Sequence, residues 1–167
     1  YGGVVHNPAQ VLAELIAKMH APDGKVTLPG FYDDVLDLSS EERNELNKVG
    51  HDDQYFMSQT GSPALWGESA YTPIERIGAR PTLEVNGFLS GFVGQGSKTI
   101  IPAKAMAKIS TRLVPNQDTN SIQGKLVKFM ELNAPPTVRW EVELISTGSP
   151  SLSDINMPET QALYQAL

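Results

Sequence analysis

Lys104-Ala105-Met106-Ala107-Lys108-Ile109-Ser110-Thr111-Arg112-Leu113 decides the fold. Ala105, Ala107, Ile109, Thr111 and Leu113 alternate with Lys104, Met106, Lys108, Ser110 and Arg112, a period of two. The stretch therefore predicts a long antiparallel strand with one face against helices and one open to water. Upstream, Leu83 and Val85 alternate with Glu84 and Asn86 after Pro81, which predicts a second strand. The glycine-rich residues 91–96 join the two. Downstream, Asp118 is placed to cap a helix carrying Ile122, Leu126, Phe129 and Met130 on one face, and Pro135-Pro136 stops it. Val138, Trp140, Val142 and Leu144 then alternate as a last strand.

Towards the start, Asn7-Pro8-Ala9-Gln10 combines a cap, a proline suited to the first helical position and a capping-box glutamine. The helix that follows shows an apolar stripe of Leu12, Leu15, Ile16 and Met19, and Ala21-Pro22-Asp23-Gly24 ends it. Residues 25–79 read as a loop-rich insertion with one helix, begun by the capping box Ser39-Ser40-Glu41-Glu42 and running to about Val49. The order is helix, insertion, strand, strand, helix, strand. The fold class is α+β, and one further strand before Tyr1 would complete a ferredoxin-like βαββαβ sandwich. The whole of 1–167 reads as one domain, with an exit linker at 148–157 and a final helix at 158–167. It starts Tyr1-Gly2-Gly3 and ends within that helix, so both ends read as cut from a larger protein.

Composition excludes several classes. The 167 residues are 40% hydrophobic and 19% charged, an ordinary globular balance. A net charge of −6 without a Lys/Arg run argues against duplex nucleic acid. No apolar run approaches the roughly 18 residues of a membrane span. The absence of cysteine excludes disulfides and thiolate metal sites, and fits a cytoplasmic origin.

Few motifs carry chemistry. His6, His20 and His51 have no histidine partner three or four residues away, so no metal site is predicted. Gly67-Glu68-Ser69-Ala70-Tyr71 begins like a nucleophile elbow but lacks the closing glycine and the preceding strand. Gly91-Phe92-Val93-Gly94-Gln95-Gly96-Ser97-Lys98-Thr99 falls short of a phosphate loop, because Ser97 separates Gly96 from Lys98 and the extended Ile100-Ile101-Pro102 follows. The loop reads either as a flexible hairpin connection or as one that approaches a ligand. Arg112, on the open strand face, is either solvated or clamps a carboxylate through two parallel hydrogen bonds. Trp66, Trp140, Phe129 and Met130 are assigned to the core. Asp33-Asp34 and Asp52-Asp53 are assigned to turns.

Five strings in order give a family resemblance: Tyr1-Gly2-Gly3-Val4-Val5-His6-Asn7-Pro8, Leu28-Pro29-Gly30-Phe31-Tyr32-Asp33-Asp34-Val35, Arg80-Pro81-Thr82-Leu83-Glu84-Val85-Asn86-Gly87, residues 94–105 from Gly94-Gln95-Gly96 to Ala105, and Ser110-Thr111-Arg112-Leu113-Val114-Pro115-Asn116-Gln117. Together they resemble the lid domain of the dinuclear-zinc exopeptidases, the carnosinase-like dipeptidases, carboxypeptidase G and the aminoacylases, and the dipeptidase branch most. The resemblance implies a non-catalytic dimerisation lid of a hydrolase that cleaves peptides or acyl-amino acids. Both zinc ions and the general base would lie in a catalytic domain whose metal motifs fall before Tyr1 and after Leu167. The lid's first strand, and a histidine that reaches the partner's site, would also precede Tyr1. By the same resemblance Arg112 would hold the substrate carboxylate. Thr99 would bond substrate in the neighbouring subunit, with Gly94 and Gly96 letting its loop come close. The lid would form a homodimer through the outer edge of the strand at Thr82, Leu83, Glu84, Val85 and Asn86. A stand-alone ferredoxin-like module that binds a ligand or protein partner is the alternative reading.

Overall fold

The computed structural model describes residues 1–153 and 156–166. Its elements are α1 (Pro8–Ala17), α2 (Ser40–Asn47), α3 (Asp53–Thr60), α4 (Pro73–Ala79), β1 (Thr82–Ser90), β2 (Ala105–Arg112), α5 (Thr119–Asn133) and α6 (Pro158–Ala166). Asp154 and Ile155, inside the predicted exit linker, and Leu167, at the end of the predicted last helix, lie outside the described residues.

The predicted hairpin forms. β1 and β2 pair antiparallel, and the exposure of β2 alternates residue by residue with Ala105, Ala107, Ile109 and Thr111 inward. Thr82 stands opposite Arg112, Leu83 opposite Thr111, and Val85 opposite Ile109. The register then slips, with Gly87 opposite Lys108 and Phe88 opposite Ala107. Asn86 is the extra residue of a β-bulge, which changes the phase of the strand. Phe88 joins Val85 on the helix-covered face, while Leu89, opposite Met106, turns to the open face.

One apolar cluster fills the space under the sheet. It draws Val11 and Leu15 from α1, Met19 from just beyond it, and Val26, Leu28 and Phe31 from the loop that follows. Leu83 comes from β1, and Ile122, Phe129 and Met130 come from α5. Burying each large member contributes about 1.5–3 kcal/mol. On α1 the buried set is Val11, Leu15 and Met19, four residues apart, with Leu12 and Ile16 half-buried at its margin, so the stripe is rotated from the predicted one. The Asn7 side chain accepts the Ala9 N–H, a tighter cap than the expected box with Gln10. Asp118 caps α5 through the Ser121 N–H, as predicted.

Three expectations are corrected. The last strand does not form, because 138–144 joins no ladder among the described residues. Half of its predicted face still turns inward: Val138 and Val142 pack on the core, while Trp140 and Leu144 are exposed. In a βαββαβ sheet the fourth strand pairs only with the first, and among the described residues no strand stands before α1 to receive it. The described sheet is thus two-stranded within an α+β architecture. The insertion holds three helices rather than one: the box at Ser39 forms α2, which stops at Asn47, and α3 and α4 follow. Trp66 and Trp140 are 63% and 39% exposed, outside the core to which Phe129 and Met130 do belong. Asp52 is the N-cap of α3.

Candidate functional site

Period two aims the side chain of Arg112 to the open face at the very end of β2. It is exposed and has no hydrogen bond or ion pair among the described residues. Ser110 precedes it on that face, and Glu84, opposite Ser110, forms no ion pair with it. Arg112 is therefore a free, planar, five-donor cation on a rigid strand, suited to a carboxylate.

Thr99, Gly94 and Gly96 lie in the loop 91–104, all exposed. Gly96 has φ +87°, which a side chain would strain. Within the loop Lys98 stands over the Phe92 ring, 4.7 Å from its centroid. The loop is rooted at the other end of the hairpin. At about 3.3 Å per residue, the length of β2 separates its root from Arg112 by about 23 Å. The structure thus brings the two predicted substrate contacts to opposite ends of one hairpin.

The predicted dimer edge, Thr82, Leu83, Glu84, Val85 and Asn86, occupies the outer side of β1, which among the described residues pairs only with β2. Leu83 is 1% exposed and offers that edge its backbone alone. Asn86 sits at the bulge.

At the Arg112 end of the hairpin the structure assembles a group that the sequence did not announce. Arg80, two residues before Thr82, meets Glu68 through two parallel hydrogen bonds, Nε–Oε1 at 3.0 Å and Nη2–Oε2 at 2.8 Å. Both residues are buried. The guanidinium lies over the rings of Tyr71 and Tyr32, 4.4 and 4.7 Å from their centroids. Burial alone would lower the pKa of Arg80; the Glu68 hydrogen bonds and charge outweigh it and raise the value. Burial also pushes the Tyr32 phenol up, against the Val26 N–H that donates to its oxygen at 2.9 Å.

Arg76 adds a bond from Nε to the Glu68 carbonyl at 2.8 Å. Gly24 packs so closely on this loop that a Cβ there would lie 2.3 Å from the Gly67 carbonyl carbon. The cluster ties the return of the insertion to its departure and to the start of β1. The cleft beside it, lined by His20, Trp66, Arg80 and Glu84 among others, holds about 100 Å³. Ligand pockets run to roughly 300–1,000 Å³, so the cleft is too small for a dipeptide.

Glu75 is the other missed residue. It is 2% exposed, closes the capping box of Thr72, accepts from Asn47 Nδ2 at 3.2 Å and faces Arg43 at 3.8 Å. Its signal was present in Thr72-Pro73-Ile74-Glu75, a cap, an N1 proline and a glutamate at the third position. No group of three or more His, Cys, Asp or Glu among the described residues could hold a metal ion. No helix among them is long and apolar enough to cross a membrane.

A sequence model of the peptidase dimerisation domain of the M20 group matches residues 1–138. The chain belongs to this M20 dimerisation-domain family. It is 25% identical to human Beta-Ala-His dipeptidase over 131 residues, 78% of the chain and 26% of that protein. A solved M20 family metallo-carboxypeptidase from Sulfolobus solfataricus superposes with a TM-score of 0.85 at 32% identity, over 98% of the chain and 42% of its own. The di-peptidase Dug1p from Saccharomyces cerevisiae superposes with a TM-score of 0.75 at 28% identity, over 99% and 35%. The M20 domain described here spans about a quarter to two-fifths of the length of these relatives.

Proposed function

We propose that this M20 domain is the dimerisation and substrate-binding lid of a zinc dipeptidase or related amidohydrolase, and is itself non-catalytic. The observation that carries the reading is the pair of polar ends on one hairpin. Arg112 stands unpaired at one end, and the loop bearing Thr99 springs from the other. Ends that far apart address two sites rather than one. Arg112 would bind the carboxylate of a substrate in its own subunit, and Thr99 would reach the substrate held by the partner. The described residues offer no donor set for zinc. On this reading both ions sit in the catalytic domain, where they would supply the activated water that attacks the peptide carbonyl. The work of this chain's residues is to fix the substrate's orientation and keep bulk water out. Its partners are that catalytic domain, a second copy through the outer edge of β1, and a peptide or acyl-amino acid.

The test is kinetic and uses the full-length enzyme. Arg112→Ala lowers kcat/KM for free-acid substrates by an amount equivalent to about 2–4 kcal/mol, the scale for truncating one partner of a close charge pair. Arg112→Lys also loses activity, because the planar fork is gone although the charge remains. Substrates amidated at the C-terminus lose little. Equal losses on acid and amide overturn the carboxylate clamp and give Arg112 a structural role, and no loss on either leaves it a merely solvated cation.

A further inference from the structure

The dimer reading names an edge; the bulge in β1 locates where on that edge two copies meet. We propose, resting on that reading, that the molecular two-fold axis passes through the 87–90 half of β1, with Phe88 or Leu89 standing opposite its own copy.

The first step is symmetry. Antiparallel ladders alternate hydrogen-bonded and non-hydrogen-bonded pairs. A two-fold dimer makes the two strands equivalent, so residue i facing j requires j facing i. Were the axis to fall between two residues, adjacent pairs would have to be both equivalent and of opposite type. One residue must therefore face itself.

The second step is continuity. Asn86 interrupts the pairing of β1, so its outer edge is regular only over 82–85 and 87–90. A ladder centred in either half keeps its middle pairs; one centred on the bulge does not.

The third step is chemistry. Glu84 lies in the middle of the first half, so an axis there brings two like charges close together across the ladder. Leu83 in that half is buried in its own core and has no side chain to share. The second half differs. Phe88 and Leu89 are 48% and 56% exposed, one on each face of the sheet, and Met106, opposite Leu89, is exposed beside it. An axis at Phe88 or Leu89 covers apolar side chains on both faces and moves Glu84 to the ends of the ladder, away from its copy.

The chain contains no cysteine, so a single introduced one reports its own position. Residues that face each other across an antiparallel ladder have Cα atoms about 4.5–5.5 Å apart, inside the range a disulfide spans. A residue one step from the axis is displaced from its copy by about 7 Å, beyond that range. Phe88→Cys, Leu89→Cys and Glu84→Cys are made in the full chain and mildly oxidised, with thermal unfolding as the check on folding. Either Phe88→Cys or Leu89→Cys converts most of the protein to a covalent dimer, and Glu84→Cys stays at background.

Independently of cross-linking, Leu89→Asp raises the dimer dissociation constant more than tenfold in sedimentation. A dimer that cross-links at Glu84→Cys, or that tolerates Leu89→Asp and cross-links at neither Phe88→Cys nor Leu89→Cys, overturns the axis while leaving the dimer. A wild-type chain that sediments as a monomer at every concentration overturns both.

Discussion

α5 buries Ile122, Phe129 and Met130 in one cluster with Val11, Leu15 and Leu83, whereas α2 and α3 bury no residue at all. The body of the domain is held by apolar area. The insertion joins that cluster only through Val26, Leu28 and Phe31 at its start; its helical part, α2 to α4, is held by caps and by a few buried polar groups, Glu68 with Arg80 and Glu75 with Asn47, Thr72 and Arg43. The two respond differently to a lost side chain. A core residue leaves a cavity that its neighbours partly fill. A polar staple leaves its partner's charge or donor stranded, and the loss depends less on volume than on what remains unpaired.

The sharpest way to break this contrast is at Arg80. Arg80→Ala leaves the Glu68 carboxylate buried without its cation, and is expected to cost about 3–5 kcal/mol in denaturant unfolding. Arg80→Lys restores the charge but neither the paired bonds nor the stacking on Tyr32 and Tyr71, and recovers only part of the loss. A near-neutral Arg80→Ala would place the insertion under apolar control like the body. Leu15→Ala tests the other side. With Leu15 3% exposed, the expected loss is about 2–5 kcal/mol, shared by every probe of the body because the cluster is common to α1, β1 and α5. The smallest effect is Ser39→Ala, which removes the cap of α2 and costs about 1 kcal/mol. Hydrogen exchange should show that loss within α2 while α5 keeps its protection; a loss spread equally over both would erase the distinction between the two regions.

Legibility followed the same division. β2 and α5 were readable because a buried face imposes its period on the sequence, two for Ala105 to Thr111 and 3.6 for Ile122 to Met130. α3 buries nothing, so no period marks it, and only Asp52 and Gly61 bracket it. At 138–144 the alternation was right for Val138 and Val142 and wrong for the exposed Trp140 and Leu144, because a period of two holds only where a neighbouring strand keeps the segment extended. The bulge was hidden because Leu83 and Val85 alternate properly up to the residue where the phase changes. Arg112 does lie on the open strand face and Thr99 does lie in a loop between the two strands, since alternation and the glycines mark both; that Arg112 is the last residue of its strand was not marked. Glu68 and Arg80 meet across a separation of 12 residues, over a turn and the whole of α4, and the cap that marks the helix does not say which side chains its far end brings together. Their roles in resembling strings and failed motifs pointed elsewhere.

His6 Nδ1 and Thr137 Oγ1 share a hydrogen bond of 2.8 Å across 131 positions of sequence. The chain that enters α1 and the chain that leaves α5 therefore run side by side at one corner of the body. In mechanical terms this corner is a clasp: the lead into α1 cannot lift without breaking that bond or drawing along Thr137 and the core-packed Val138 beside it.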